Sequence, residues 1–154
     1  MHTIEAILAL MLIIGVIAFA ARSAPQEMQV ESSVDTQLML YGEDFLSILD
    51  MERSDHTSWL YEQVNGNVSS PPWDFAYNFS NKWNQTNLTE RGVFYKLELY
   101  NVSEKGNLNR VDLSLNATRY GEPPKNAVTV TRLVTLVNSP QVEVYEVRLT
   151  LWYI

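Results

Sequence analysis

The sequence predicts an α+β protein in which a long N-terminal hydrophobic helix, with a kink near Pro25, precedes a small antiparallel β-sheet domain of about four strands. Every residue in the range 6–21 is apolar or glycine, which is typical of a helix buried on all sides. From Val93 onward apolar residues recur at every second position, as in strands with one buried face. A chain of 154 residues allows one modest core, so we expect a helix over residues 1–50 and an outer globular domain over residues 51–154, β-rich from 93.

The first part of the helix, residues 1–24, is predicted to lie in a filament core or in a membrane. At 1.5 Å per residue it would be roughly 36 Å long, enough to cross the hydrocarbon core of a bilayer. A transmembrane anchor and a cleaved signal peptide are the two ordinary interpretations of such a run. No basic residue precedes it, which argues against a signal peptide and favours a chain in which Met1 follows a cut that removed a charged leader.

Glu5 introduces a carboxylate at the start of this apolar run. Near a helix N-terminus the unpaired backbone N–H groups stabilise a carboxylate by roughly 0.3–1 kcal/mol. Deeper in hydrocarbon the same group costs about 2.5–3.5 kcal/mol, so a cationic partner is expected. The free α-amine of another copy's first residue is a candidate, because it could pair in every repeat of a polymer. The predicted polymer interface consists of Met1, Ile4, Glu5, Ile7, Leu8, Leu12 and Ile14.

Residues 25–50 are predicted to continue as an amphipathic helix that docks on the outer domain. Apolar residues recur there at the three- and four-residue steps of one helical face: Val30, Val34, Leu38, Tyr41, Phe45 and Ile48. After it, Thr57 or Ser58 could cap a short helix that ends near Val64. Pro71-Pro72 could open another helix, which carries Trp73, Phe75, Phe79 and Trp83.

Four strands are expected after residue 92. They cover residues 93–99, 111–115, 128–137 and 142–152, and turn sequences at Gly106-Asn107, Gly121-Glu122-Pro123-Pro124 and Asn138-Ser139-Pro140 separate them. The most economical arrangement is an antiparallel meander, with one face against the helix and one face toward solvent.

The opening MHTIEAILALMLIIGVIAFA resembles mature chains of the type IV pilin superfamily, which have Glu at the fifth position followed by a long apolar run. HTIEA, together with GEPPKNAVTVTRLVTL and EVYEVRLTLW, is more narrowly similar to archaeal pilin-like surface proteins that open with HT[IL]EA. The resemblance implies a homopolymer of many identical copies and residence in the membrane before assembly. It also implies a prepilin peptidase and a pilus assembly machinery as partners.

Composition restricts the other classes of function. A formal charge of -7, from 11 Lys+Arg against 18 Asp+Glu, argues against nucleic acid as a partner. The chain has no cysteine, and His2 and His56 are its two imidazoles. Asp50, Glu52 and Asp55 form the densest acidic group, but they lack the glycine turn of a calcium loop. We therefore expect no enzyme, no metal site and no cofactor.

N-glycosylation sequons are more frequent than the composition would give by chance. They stand at Asn67, Asn78, Asn84, Asn87, Asn101 and Asn116. Glycans are bulky and solubilising, so this region is expected on the exposed shell of an extracellular protein. The alternative is that Asn, Ser and Thr simply cluster in turns.

These observations predict a structural subunit, a pilin, of an extracellular type IV pilus-like filament at the cell surface. Its expected role is adhesion. The alternative is a monomeric membrane-anchored surface glycoprotein or a minor pilin-like component. A secreted hydrolase on a stalk would require a convergent polar cleft, for which the sequence gives no sign.

Overall fold

The computed structural model describes residues 28–69, 74–114, 117–118, 121–138 and 140–154, with side chains from residue 33 onward. Three helices and then four strands follow one another in these ranges. They are α1 (Met28–Leu49), α2 (Trp59–Ser69), α3 (Phe75–Asn84), β1 (Val93–Val102), β2 (Leu108–Val111), β3 (Val128–Asn138) and β4 (Gln141–Tyr153).

The predicted fold class is wrong in its leading element, the long N-terminal hydrophobic helix. The described residues contain three short helices instead, of which the longest, α1, has 22 residues. None of the helices in these ranges is both long and apolar enough to cross a bilayer. The prediction inferred a helix from hydrophobicity, but hydrophobicity indicates burial and does not by itself specify helix. Residues 1–24 and the predicted kink at Pro25 lie outside the described residues, whereas the four-stranded antiparallel sheet is confirmed.

The chain divides into two units, Met1–Val34 and Asp35–Ile154. The first is described only from Met28, as the opening turns of α1. The second holds the remainder of α1 and all later elements, and every buried residue of the described core belongs to it.

Within this second unit, α1 packs closely on the sheet through one face. Leu38, Phe45, Leu46 and Leu49 are buried there, whereas Ile48, which the predicted stripe included, is 63% exposed. Gly42 lies at the closest approach to the sheet, because a Cβ built on it would stand 2.6 Å from Val130 Cγ2. The helix therefore needs a residue without a side chain at this position.

Polar side chains cap α2 and α3 at their N-termini. The backbone N–H of Tyr61 donates to Ser58 Oγ at 3.0 Å, and that of Tyr77 donates to Asp74 Oδ1 at 2.9 Å. Each cap satisfies a backbone donor that the first helical turn leaves without a partner. The predicted start of α3 at Pro71-Pro72 lies outside the described residues, and the cap at Asp74 places its first residue at Phe75.

The strand order is β2-β1-β4-β3, and all neighbours are antiparallel. The predicted meander is therefore wrong, because β4 returns to lie between β1 and β3. The second strand also begins earlier than expected, at Leu108. Residues 149–152 of β4 are four consecutive buried positions, as expected for a central strand covered on both faces.

Aromatic side chains fill the core between α1, α3 and β1. The rings of Phe45 and Phe79 meet edge to face at 5.3 Å between centroids, and Trp83 lies 4.9 Å from Tyr95. The indole N–H of Trp83 donates to Thr89 Oγ1 at 3.1 Å, so its polar group is satisfied.

Candidate functional site

The predicted polymer interface falls on a part of the chain that the structure does not describe. Met1, Ile4, Glu5, Ile7, Leu8, Leu12 and Ile14 all lie outside the described residues, as does His2. Almost all of the described side chains belong to the unit Asp35–Ile154.

Three of the predicted glycosylation sites lie in half-buried positions. Asn67 is in α2, and Asn101 is in β1 opposite Tyr145. The Asn78 side-chain amide donates to Gln63 Oε1 at 2.8 Å, and Gln63 is itself buried. Attaching a glycan at Asn78 would disturb this contact between α2 and α3.

Asn84 and Asn87 are exposed, at the end of α3 and in the turn that follows it. Asn87 has a φ of 57°, the left-handed region that Asn adopts more readily than most residues. Asn116 lies outside the described residues. The exposed sequon positions among the described residues thus cluster in one turn.

The acidic group Asp50, Glu52 and Asp55 does not converge on a common point. Asp50 binds Arg132 Nε at 2.8 Å and accepts a hydrogen bond from Ser58 Oγ. Glu52 instead contacts His56 Nδ1 at 2.7 Å. Across the described ranges, no set of three potential ligands could hold a metal ion.

Asp55 has a local role in the turn before α2. Its carboxylate accepts a hydrogen bond from the backbone N–H of Thr57 at 3.2 Å, and the nearby Thr57 hydroxyl together with this N–H holds its pKa below the usual value. The next residue, His56, has a φ of 63° and a largely exposed ring. The segment is therefore a turn held by local backbone hydrogen bonds, in which Thr57 Oγ1 is buried without a hydrogen-bond partner.

An open apolar cavity of about 420 Å³ lies at the end of α1. Phe45, Leu49 and Trp59 are among its lining residues, with the exposed Ile48 and Met51. Its polar lining includes Arg53, Lys82 and Glu52. Arg53 is bound to Glu62 at 3.0 Å, and Glu52 to His56, so most of these charges are already paired.

The outer face of the sheet carries a network of charges on β1 and β4. Arg148 Nη2 contacts Glu146 Oε1 at 2.7 Å, and its guanidinium lies 4.6 Å from the centre of the Tyr100 ring. Burial lowers the pKa of Arg148, but the hydrogen bond and charge of Glu146 outweigh it and raise the pKa above its usual value. Lys96 adds contacts to Glu98 and Glu122. Each of these five charges is therefore in contact with a charge of opposite sign.

The free side of β3, which we call the β3 edge, is the longest unpaired strand edge among the described residues. β3 pairs with β4 without interruption from Val128↔Leu151 to Asn138↔Gln141. Its single charge, Arg132, is bound to Asp50. This edge could not be predicted from the sequence because periodicity does not give strand order, although the uncharged alternation of Thr and Val in β3 is compatible with it.

Comparisons with known proteins identify a family whose function is unknown. The profile of a family described as "Family of unknown function (DUF7288)" matches residues 1–150. No curated protein and no solved structure matches the chain.

Proposed function

Since the chain belongs to the DUF7288 family, whose function is unknown, we propose its role from its own residues. It is a structural subunit of an extracellular, type IV pilus-like filament that serves adhesion. The observation that carries this proposal is the apolar segment, residues 6–21, in which every residue is apolar or glycine and which Glu5 precedes.

The apolar segment supports the proposal because it has no residue that favours water. Burying a Leu, Ile, Val, Phe or Met side chain contributes about 1.5–3 kcal/mol, and most of the segment consists of such residues. Identical copies can cover one another's segments, and a head-to-tail contact that does not close produces a helical filament. Hydrophobic burial then drives assembly.

Glu5 supports the proposal through its charge. A carboxylate beside an apolar segment loses hydration when copies pack together, and it then requires a cation or a hydrogen-bond donor. A cation supplied by a neighbouring copy would satisfy it once per subunit. In this proposal Glu5 sets the axial register between copies, while residues 6–21 supply the burial energy.

The unit Asp35–Ile154 is suited to the outside of such a filament. Its core is built from its own helices and sheet, so the side chains of this core are buried without a neighbouring copy. The charges on the outer face of the sheet are paired among themselves. The exposed Asn84 and Asn87 are well placed sequon positions for glycans, which peptide mapping by mass spectrometry would detect.

Electron microscopy of native material, combined with a substitution series at Glu5, tests the proposal. Filaments of regular diameter that contain this chain are expected from the wild type. Glu5→Ala should abolish or slow assembly, and Glu104→Ala, which removes an exposed acid in a turn, is the matched control and should assemble normally.

Two results would contradict the proposal. One is native material that contains the chain only as dispersed single molecules in lipid, as expected of a monomeric membrane-anchored glycoprotein. The other is normal assembly of Glu5→Ala, which would remove Glu5 from the mechanism.

A further inference from the structure

Among the residues that the structure describes, the sheet has two edges without a neighbouring strand, and these edges differ in length and protection. The β3 edge has 11 residues, without proline or bulge, and its only charge is engaged by Asp50. A long edge of this kind leaves about every second backbone N–H and C=O without a strand partner. Natural proteins usually protect such edges with charges, proline or bulges. β3 has neither proline nor a bulge, and its one charge, Arg132, is on the inner face and neutralised by Asp50, so the edge remains able to pair with another strand.

The layer above the sheet extends over the β3 edge. A cavity of about 230 Å³ is lined on one side by residues 133–135 and on the other by Asp50, Glu52 and Ser58, among others. A second cavity lies between Glu43 and Ser47 of α1 and Thr131 of β3. A strand added at this edge would therefore lie beside an overhang that is acidic at Glu43 and Glu52.

The opposite edge of the sheet is the outer side of β2, which we call the β2 edge. β2 has four residues, and Leu108, Asn109 and Arg110 are all exposed. Among the described residues, the backbone of β2 pairs only with β1. The β2 edge thus offers a short, exposed strand, whereas the β3 edge offers a long strand beside an overhang.

Strand direction allows the β3 edge of one copy to pair with the β2 edge of another copy that has the same orientation. All neighbours in the order β2-β1-β4-β3 are antiparallel, so β2 and β3 run in opposite directions. When two copies stand side by side in one orientation, β3 of one and β2 of the next are again antiparallel. A two-fold pairing of β3 with β3 would instead bring two overhangs together, with Glu43 and Glu52 of both copies at the same junction.

We propose that the β3 edge of one copy pairs with the β2 edge of the next, so that the sheets of neighbouring subunits join laterally. This inference rests on the proposed filament, because it needs copies in one orientation. With four residues in β2, the contact is small and forms when assembly holds neighbouring copies together. The occupant of the β3 edge is a second copy of this chain.

Because the chain has no cysteine, every thiol cross-link must come from a cysteine that has been introduced. Leu133 and Leu108 stand opposite Glu146 and Val102, so both lie on the outer face of the sheet. The double variant L108C/L133C is assembled and treated with a short bifunctional thiol reagent, which tolerates a shift in register. We expect a ladder of cross-linked oligomers on a denaturing gel, and loss of the ladder in either single variant.

The control variant is L108C/I48C. Ile48 is 63% exposed and Leu133 is 62% exposed, so the two cysteines react with similar ease, but Ile48 is on α1 and lines the cavity that Lys82 and Gln85 also line. This variant should give no ladder. Circular dichroism of each variant verifies that the sheet is retained.

The outcomes separate the inference from the proposed function. Filaments without a ladder would overturn the edge pairing and leave the filament role standing. Dimers from L133C alone would overturn it in favour of a two-fold β3 contact, and an equal ladder from L108C/I48C would show non-specific proximity and overturn it as well. If electron microscopy shows no filaments, the proposed function and this inference both fail.

Discussion

Replacing Gly42 by Ala tests how closely α1 packs on the sheet. The new Cβ would stand 2.6 Å from Val130 Cγ2 and 3.0 Å from Leu151 Cδ1. Carbon atoms in ordinary contact are about 3.5–4.0 Å apart, so the helix and the sheet must separate. Val130 cannot easily turn aside, because its β-branched side chain is stiff at χ1 and is buried.

Two opposing contributions determine how much Gly42→Ala changes the free energy of unfolding. Overpacking a well-packed core costs about 1–3 kcal/mol. Replacing a helical glycine by alanine returns about 1 kcal/mol of helix propensity. Because two side chains are approached at once, we take the upper end of the first range and expect a net loss of roughly 2 kcal/mol in the free energy of unfolding.

The assay is denaturant unfolding of the full chain in a mild detergent, followed by tryptophan fluorescence. Trp83 is fully buried and should report the loss of the core. A double-mutant cycle with Val130→Ala isolates the clash, because that change removes the nearest methyl group. Gly42→Ala should cost much less in the Val130→Ala background, with a coupling of about 1–2 kcal/mol.

The reasoning would be refuted if Gly42→Ala stabilised the protein. An equal cost in both backgrounds would also refute it, because the loss would then have a source other than the contact with Val130.

Three further changes test other parts of the structure. Trp83→Ala should lower the free energy of unfolding by about 3–5 kcal/mol, because it empties the centre of the aromatic core, and chemical denaturation measures this loss. Arg132→Met should cost only about 0.5–1 kcal/mol, since its ion pair with Asp50 is partly exposed, and the difference from wild type should shrink in high salt. Burial raises the pKa of Tyr145 above 10.0, so the unfolded chain loses this proton first as pH rises. Stability should therefore fall from about pH 10 upward, and Tyr145→Phe should reduce that fall in unfolding measured across the alkaline range.

More of the sheet than of the helices could be predicted from the sequence. The alternation at Val93, Tyr95 and Leu97 places one face in the core, and all three residues are buried. On α1 the same reasoning identified Leu38 and Phe45 but missed Gly42, because a hydrophobic pattern does not record where a missing side chain permits close approach.

The order of the strands in the sheet could not be predicted from the sequence, for a different reason. Periodicity describes the faces of one strand, whereas the position of β4 depends on which distant strands it pairs with. Its four consecutive buried residues were the available sign of a central strand. The predicted interface residues from Met1 to Ile14 lie outside the described residues, so they stay predictions.

The position of β4 determines when this protein can fold during its synthesis. β1 pairs with β2 and β3 with β4, but only β4 links the two pairs. Before residues 141–153 leave the ribosome, a nascent chain has β1 and β3 without the strand that joins them. Tyr95 then lacks its strand partner Leu151, and Val130 lacks its strand partner Leu149. The four-stranded sheet therefore cannot form until residues 141–153 have been translated, so its folding depends on contacts between strands that are distant in the sequence.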